Sequence, residues 1–554
     1  MEKIIIVGGV AGGMSAATRL RRLKEDAEII VIDKGPYVSF ANCGLPYHLS
    51  GEIPHRESLL VQTPQALKDR FNLDVRVSSL VSEIDRQAKT VTIEGPQGTY
   101  QEKYDILILS PGAQPFVPAI PGLDQATNVY QLRNIPDLDR IMAAMQTRDL
   151  EKKGQATVIG AGFIGLEMAE SLVKAGYQVR IIELAPHVLP PLDQEMAAFI
   201  QAELEANGLE VYTNQALTAF EDQGETLILQ DGTRLASDLT ILSVGVRPDT
   251  AFVGQAGIEL GHNGGILVDE NYRTNDPSIY AVGDAILVKQ VQSQALQMIA
   301  LANPANRQGR QVADIIAGLK SVNKGSLGTA IVRVFNLTAA ATGLSERLAN
   351  QYFQDIQVVH TSGKDHAGYF PGAQAIHMKL IFSKTDGKIY GAQAVGAQGV
   401  DKRIDVLATA IKAGLTVYDL PELELTYAPP FGSAKDPVNM IGYAAMNLLD
   451  QHSESIQWYQ VADMQAAGYQ LLDVRQANEV QNGRLQGAQH IPLNQLRDQL
   501  DQLDPKLPYI VYCHSGQRSY IAERILKQKG FQVKNLDGAY LLYQQVYPER
   551  IIHD

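Results

Sequence analysis

Two segments of this chain repeat one chemical pattern: a short apolar run, a glycine-rich turn, a helical stretch, and a second apolar run closed by an acid. The first spans residues 4–33, with Ile4-Ile5-Ile6-Val7, then Gly8-Gly9-Val10-Ala11-Gly12-Gly13, and Asp33 at the end of the second run. The second spans residues 156–183, with Ala156 to Ile159, then Gly160-Ala161-Gly162-Phe163-Ile164-Gly165, a helical pattern over Leu166 to Ala175, and Glu183. Such a turn aims backbone N–H groups at a pyrophosphate, while the closing acid accepts ribose hydroxyls. The second copy is an unbroken G-x-G-x-x-G, whereas the first carries Val10 where the middle glycine belongs. The pattern predicts α/β architecture and two bound dinucleotides. Glu183 would repel a 2′-phosphate, which favours NADH over NADPH; the preference rests on this residue alone, and NADPH stays open as the alternative.

At 554 residues the chain should form three or four domains. Acidic residues exceed basic ones, 61 against 48, and no long Lys/Arg run occurs, so nucleic acid and anionic membrane are disfavoured as partners. The opening Ile4 to Val7 run reads as a strand rather than a signal peptide, and no stretch is long and apolar enough to span a bilayer. Small-molecule ligands and a cytoplasmic location are the expectation.

Only two cysteines occur, and both sit where a thiol would be reactive. Cys43 lies in Ser39-Phe40-Ala41-Asn42-Cys43-Gly44-Leu45-Pro46-Tyr47. Cys513 follows the apolar run Tyr509 to Tyr512 and opens the loop His514-Ser515-Gly516-Gln517-Arg518 ahead of a helix. A thiol at such a turn faces backbone N–H donors and a positive helix end, which favour the thiolate. A disulfide between the two is not expected in a reducing compartment.

Thr274-Asn275-Asp276-Pro277-Ser278-Ile279-Tyr280-Ala281-Val282-Gly283-Asp284-Ala285 resembles the flavoprotein segment whose final aspartate holds FAD. Tyr104 to Gly112 and Ile241 to Asp249 resemble the connections between FAD and NAD domains. Across about residues 1–450 the chain thus resembles the pyridine nucleotide–disulfide reductases. The resemblance implies an FAD domain (1–112 and 247–323), an NAD(P)H domain (113–246) and an α+β dimerisation domain (324–446) that makes a homodimer. It implies FAD contacts from Gly8, Gly9, Val10, Ala11, Gly13, Asp33, Lys34, Asn42, Ser110, Gly112, Asp284 and Ala302. It implies NAD contacts from Gly160, Gly162, Phe163, Ile164, Gly165, Glu183 and Gly245. A polar stretch at 447–463 reads as a linker. Beyond it, Leu471-Leu472-Asp473-Val474-Arg475, Gly487-Ala488-Gln489-His490-Ile491-Pro492, the Cys513 loop and Asn535-Leu536-Asp537-Gly538 together resemble a rhodanese, an α/β domain over 464–554.

Dithiol members of this superfamily carry C-x-x-x-x-C, and here the second position is His48. Cys43 must then pair with a small thiol or hold an oxidised sulfur. Its surroundings are similar to the single-cysteine branch of coenzyme A disulfide and persulfide reductases, NADH oxidases and NADH peroxidases. Arg19 and Arg22, at i, i+3 on one helix, present two cations suited to CoA phosphates. By resemblance Ser15, Arg19, Arg22, Ser39, Asn42, Cys43, Arg307 and Lys435 contact CoA, with Phe71 where a lysine is expected. Tyr369 and Tyr427, from a partner subunit, would bond the sulfur and protonate a leaving thiolate. The C-x4-R loop of Cys513 and Arg518 has rhodanese length, with Arg518 holding the loop or steadying the anion. No metal site is expected. The reading is an FAD-bound, NADH-driven CoA disulfide/persulfide reductase fused to a rhodanese that relays sulfane sulfur. An NADH oxidase or peroxidase cycling Cys43 through sulfenic acid, and a sulfur-carrier or redox-sensing protein, stay as alternatives.

Overall fold

The computed structural model describes residues 1–146 and 154–553. The chain divides into two compact units, residues 1–185 with 208–328, and residues 186–207 with 329 onward.

In the first unit, strand Lys3–Val7 occupies the middle of a five-stranded parallel sheet. The order is Ile279–Ala281, Ile106–Leu109, Lys3–Val7, Glu28–Ile32, Asp74–Arg76. Ile4, Ile5 and Ile6 are wholly buried, as in a strand covered on both faces. Because these strands run parallel, Gly8, Asp33, Ser110 and the 283–285 turn all gather at their carboxyl ends, where α/β sheets bind ligands. A second parallel sheet follows the order Glu210–Tyr212, Gln178–Ile182, Gln155–Ile159, Leu239–Leu242, Val129–Tyr130. It delivers Gly160 and Glu183 to one edge in the same way. Antiparallel pairing of Ala113–Pro115 with Val246–Pro248 ties the two crossings between these sheets together. Helix Phe163–Lys174 begins three residues before the expected Leu166, since the last residues of the glycine motif form its first turn.

The second unit carries a five-stranded antiparallel sheet in the order Ala330–Val334, Leu337–Gly343, Ile389–Gly396, Ala375–Ser383, Ile356–Lys364. It also carries a five-stranded parallel sheet, Ser455–Ile456, Val533–Leu536, Tyr509–Tyr512, Gln470–Asp473, Gln489–His490. Two stretches bear on the expected domain bounds. Residues 186–207, expected within an NAD(P)H domain over 113–246, belong to this unit. The reason is a buried charge cluster in which the ammonium of Lys379 pairs with Asp193 at 3.0 Å, Glu346 at 2.6 Å, and Glu195. Nor is 447–463 an open linker. Helix Pro437–Leu449 runs into it and Ser455–Ile456 is a sheet strand. Its polar residues are paired rather than solvated: the Ser453 hydroxyl and the Glu454 N–H both donate to the fully buried carboxylate of Glu523. Among the described residues no helix is long and apolar enough to cross a membrane.

Candidate active sites

At the first glycine turn, Gly8 has φ +98°, and a Cβ there would lie 2.0 Å from the Ser110 carbonyl oxygen. A Cβ on Gly13 would lie 1.9 Å from the Gly8 carbonyl oxygen. These two glycines are required by close approach alone. Val10, in place of the middle glycine, has φ −108°, so the backbone there asks for no glycine. No side chain caps helix Ala11–Leu23, which leaves its first N–H groups to a ligand. The Asp33 carboxylate accepts from the N–H of Gly9 (2.7 Å) and of Gly35 (2.8 Å), and burial pushes its pKa up despite them. Burial raises Asp284 as well, against the Arg133 guanidinium 3.5 Å away. N–H donors at a helix end with buried acids at strand ends fit a dinucleotide of FAD type. Lys34 is held by Asp249.

The second turn repeats this geometry: Gly160 has φ +98°, and a Cβ on Gly165 would lie 2.0 Å from the Gly160 carbonyl oxygen. Glu183 accepts from the Ala161 N–H (2.6 Å) and the Ala185 N–H (2.8 Å). A side chain at Gly162 would meet nothing within 4 Å, and no side chain caps the helix that follows. These residues fit a nicotinamide dinucleotide.

Cys43 is exposed in the short turn Asn42–Gly44, in the same unit as both glycine turns. Although the residue as a whole reaches solvent, the protein packed around its sulfur desolvates the thiol and raises its pKa; the Glu167 charge raises it further, Arg133 opposes both, and Asp284 adds to the rise. Asn42 is tied to Arg133, its amide N–H donating to the Arg133 carbonyl at 3.0 Å and its oxygen accepting from the guanidinium at 3.3 Å. His48, standing where a second cysteine would be, is buried with Nδ1 2.6 Å from the Ile53 carbonyl. Ser39 holds φ +47°, an uncommon conformation for a non-glycine residue, with its N–H on the Gly9 carbonyl at 2.9 Å. Arg133 and Glu167 were not singled out in the sequence. Glu167 carries one weak signal, an acid in an otherwise apolar helix start.

Of the candidate CoA contacts, Ser15 donates to Asn306 at 2.6 Å and Arg19 is paired with Asp314 at 2.7 Å. Helix Ala11–Leu23 lies close against helix Ala302–Ile316, since a Cβ on Gly309 would sit 2.1 Å from the Gly12 carbonyl oxygen. Arg22 is exposed and makes no ion pair among the described residues, so with Arg19 paired the expected pair of free cations is reduced to one. Arg307 is exposed and donates to the Gly325 carbonyl at 3.0 Å. In the second unit, Tyr369 and Tyr427 join hydroxyl to hydroxyl at 3.0 Å, and both are exposed. Lys435 lies 5.9 Å above the Tyr443 ring.

Cys513 is buried at the end of strand Tyr509–Tyr512. Its sulfur accepts from the Gly516 N–H at 3.1 Å and the Ser519 hydroxyl at 3.4 Å. Arg518 makes two 2.6 Å bonds to Glu479, a residue the sequence did not flag. The acidic group Asp193, Glu195 and Glu346 has metal-ligand proximity, but Lys379 fills its centre.

The model of the pyridine nucleotide–disulphide oxidoreductase family matches residues 2–309, its dimerisation domain 329–437, and the rhodanese-like domain 458–545. A coenzyme A disulfide reductase of Staphylococcus haemolyticus is 36% identical over 451 residues, 81% of this chain and 100% of that protein. The crystal structure of reduced Bacillus anthracis CoADR-RHD is 49% identical with a TM-score of 0.97, covering 100% of this chain and 99% of that one. An NAD-dependent persulfide reductase from A. fulgidus is 36% identical with a TM-score of 0.92, over 98% of this chain and 100% of that one.

Proposed function

Because the chain belongs to the pyridine nucleotide–disulphide oxidoreductases and carries a rhodanese-like domain, we propose that it is an NADH-driven reductase of CoA disulfide and CoA persulfide, coupled to a sulfurtransferase. The observation that carries this reading is Cys43: an exposed thiol in the unit that holds both nucleotide turns, with buried His48 where a resolving thiol would stand. Gly8 to Gly13, Asp33 and Asp284 would hold FAD, which would supply the two-electron link between nicotinamide and sulfur. Gly160 to Gly165 would hold NADH, with Glu183 disfavouring a 2′-phosphate.

Cys43 as thiolate attacks one sulfur of CoA disulfide. The S–S bond breaks, a CoA thiolate leaves, and Cys43 is left in a mixed disulfide with CoA. Attack on the inner sulfur of CoA persulfide expels hydrosulfide and leaves the same bond, and two electrons then restore both thiolates. Arg133 favours the thiolate electrostatically and, through Asn42, steadies the Cys43 turn. Ser15, Arg19, Arg22, Ser39, Asn42 and Arg307 hold CoA, with Lys435 contributed by the partner subunit of a homodimer. The Tyr369–Tyr427 hydroxyl pair, lent by the same partner, protonates the leaving thiolate. At the second station, Cys513 takes sulfane sulfur from a donor and passes it to the CoA thiol. Free cysteines and this chemistry suit a reducing, cytoplasmic setting.

The decisive experiment is the intact mass of native protein as isolated, followed by anaerobic turnover. A CoA-sized adduct on Cys43, and NADH consumption with CoA persulfide but not with peroxide, are the expected results. Turnover with peroxide through a sulfenic acid, without CoA, would replace this reading by the peroxidase one.

A further inference from the structure

The charged groups around the Cys513 loop are matched in pairs. Arg518 is bound in bidentate fashion by Glu479, whose carboxylate also accepts from the Gln476 N–H at 2.9 Å. Arg475 is buried against Asp473, with a shortest contact of 2.7 Å, and donates to the Gly483 carbonyl at 2.8 Å. These two guanidinium groups and Glu479 are the charges felt by His514, whose own pKa is lowered, chiefly by burial. His377 is pushed down to about 4, by burial first and by His514 second. Both imidazoles are therefore neutral at neutral pH. The Cys513 sulfur itself accepts from the Gly516 N–H and the Ser519 hydroxyl, and the Arg518 guanidinium also interacts with it.

We propose, building on the sulfurtransferase reading above, that Glu479 determines donor specificity at Cys513: by occupying Arg518 it makes the loop select sulfane sulfur carried on thiols over the dianion thiosulfate. The two donors ask different things of the site. From an organic persulfide, the Cys513 thiolate attacks the outer sulfur, the S–S bond breaks, and the electron pair leaves on the carrier thiolate. Cys513 becomes the persulfide and no net oxidation occurs. Attack on the outer sulfur of thiosulfate likewise gives the Cys513 persulfide, with sulfite as leaving group. There the attacking anion must first approach a doubly charged one, which requires a cation with free donors. The charge of Arg518 is matched by the bidentate Glu479 carboxylate, and that of Arg475 by Asp473, so neither offers an unpaired cation to a dianion.

The test compares glutathione persulfide and thiosulfate as donors to the full-length holoenzyme, with persulfide on Cys513 read by mass and transfer to CoA read as kcat/KM. Wild-type protein should show a thiosulfate-to-persulfide ratio below about one hundredth, and Glu479→Gln should raise that ratio at least about tenfold by freeing Arg518. Gln517→Arg places a new cation at the exposed first residue of the helix and leaves the Arg518–Glu479 pair intact, so it decides the matter if Glu479→Gln disturbs the loop. It too should raise the ratio. Equal use of both donors by the wild type, or a ratio unmoved in both variants, overturns the proposal. If neither donor charges Cys513, the sulfurtransferase reading itself fails and takes the inference with it.

Discussion

At Gly13 the space between helix and strand is set by a single missing methyl group. A Cβ would sit 1.9 Å from the Gly8 carbonyl oxygen, a backbone atom that cannot move aside, and the same turn opens the uncapped helix Ala11–Leu23, proposed above to hold the flavin nucleotide. Gly13→Ala should therefore cost at least about 1–3 kcal/mol of local overpacking and release the flavin. The visible absorbance of the purified variant checks this, and full flavin occupancy would contradict it. Cys43 offers a second residue-scale test, because one of the groups raising its pKa is a removable charge. Glu167→Gln should lower that pKa and speed iodoacetamide alkylation of the reduced enzyme several-fold near neutral pH, through a larger thiolate fraction. An unchanged alkylation rate would mean that burial alone sets the thiol. The glycines, Asp33, Glu183 and both cysteine loops are legible in the sequence, since each motif is local and its spacing is dictated by one strand, one turn and one helix. Arg133, Glu167 and Glu479 are not. Each acts on a residue between 39 and 124 positions away, and only tertiary packing brings them together.

Between elements, the least foreseeable feature is the ion cluster that ties helix Gln194–Ala206 and the five-stranded antiparallel sheet of the second unit to the rhodanese-like domain. His360, buried on strand Ile356–Lys364, donates through Nδ1 to Asp537 at 2.7 Å and through Nε2 to Glu195 at 3.0 Å. Its backbone N–H donates to the other Asp537 oxygen at 3.0 Å. Burial alone would lower its pKa, yet the Asp537 and Glu195 carboxylates outweigh burial and raise it to about 9. Lys379, Asp193 and Glu346 extend the network, and Gln457 donates to Asp537 at 3.0 Å. A polar signature at 535–538 was readable as part of a rhodanese, but not its use as a clasp, because its partner lies 177 residues earlier. Since the folded pKa of His360 exceeds the ordinary 6.5, its stabilising contribution is complete below about pH 6.5 and is lost as pH rises through about 9. Asp537→Asn removes one partner from a buried charge and should cost about 3 kcal/mol near pH 7. Thermal melting of both proteins between pH 6.5 and 10 should show the gap narrowing at the alkaline end, and a constant gap would argue against a charged His360.

At the scale of the whole molecule, the chain separates its chemistry between two compact units. Both nucleotide turns and Cys43 belong to the first, while the tyrosine pair and Cys513 belong to the second. A dimerisation domain matched over 329–437 supplies the means of joining copies, and the exposure of Tyr369 (76%) and Tyr427 (48%) leaves their linked hydroxyls available to a neighbour. In a two-fold dimer whose sites are each completed by the other subunit, two different defects can compensate one another. Cys43→Ser should be inactive, and Tyr369→Phe/Tyr427→Phe should be slowed by about 10²-fold or more through loss of the proton donor. When the two are unfolded, mixed in equal amounts and refolded with FAD, half of the dimers should pair the defects. Each mixed dimer then has one site with intact Cys43 and intact partner tyrosines, so activity should return to roughly one quarter of wild type. If the tyrosines instead served Cys43 of their own chain, no mixed dimer would contain a complete site, and the mixture would show only the average of its two parents.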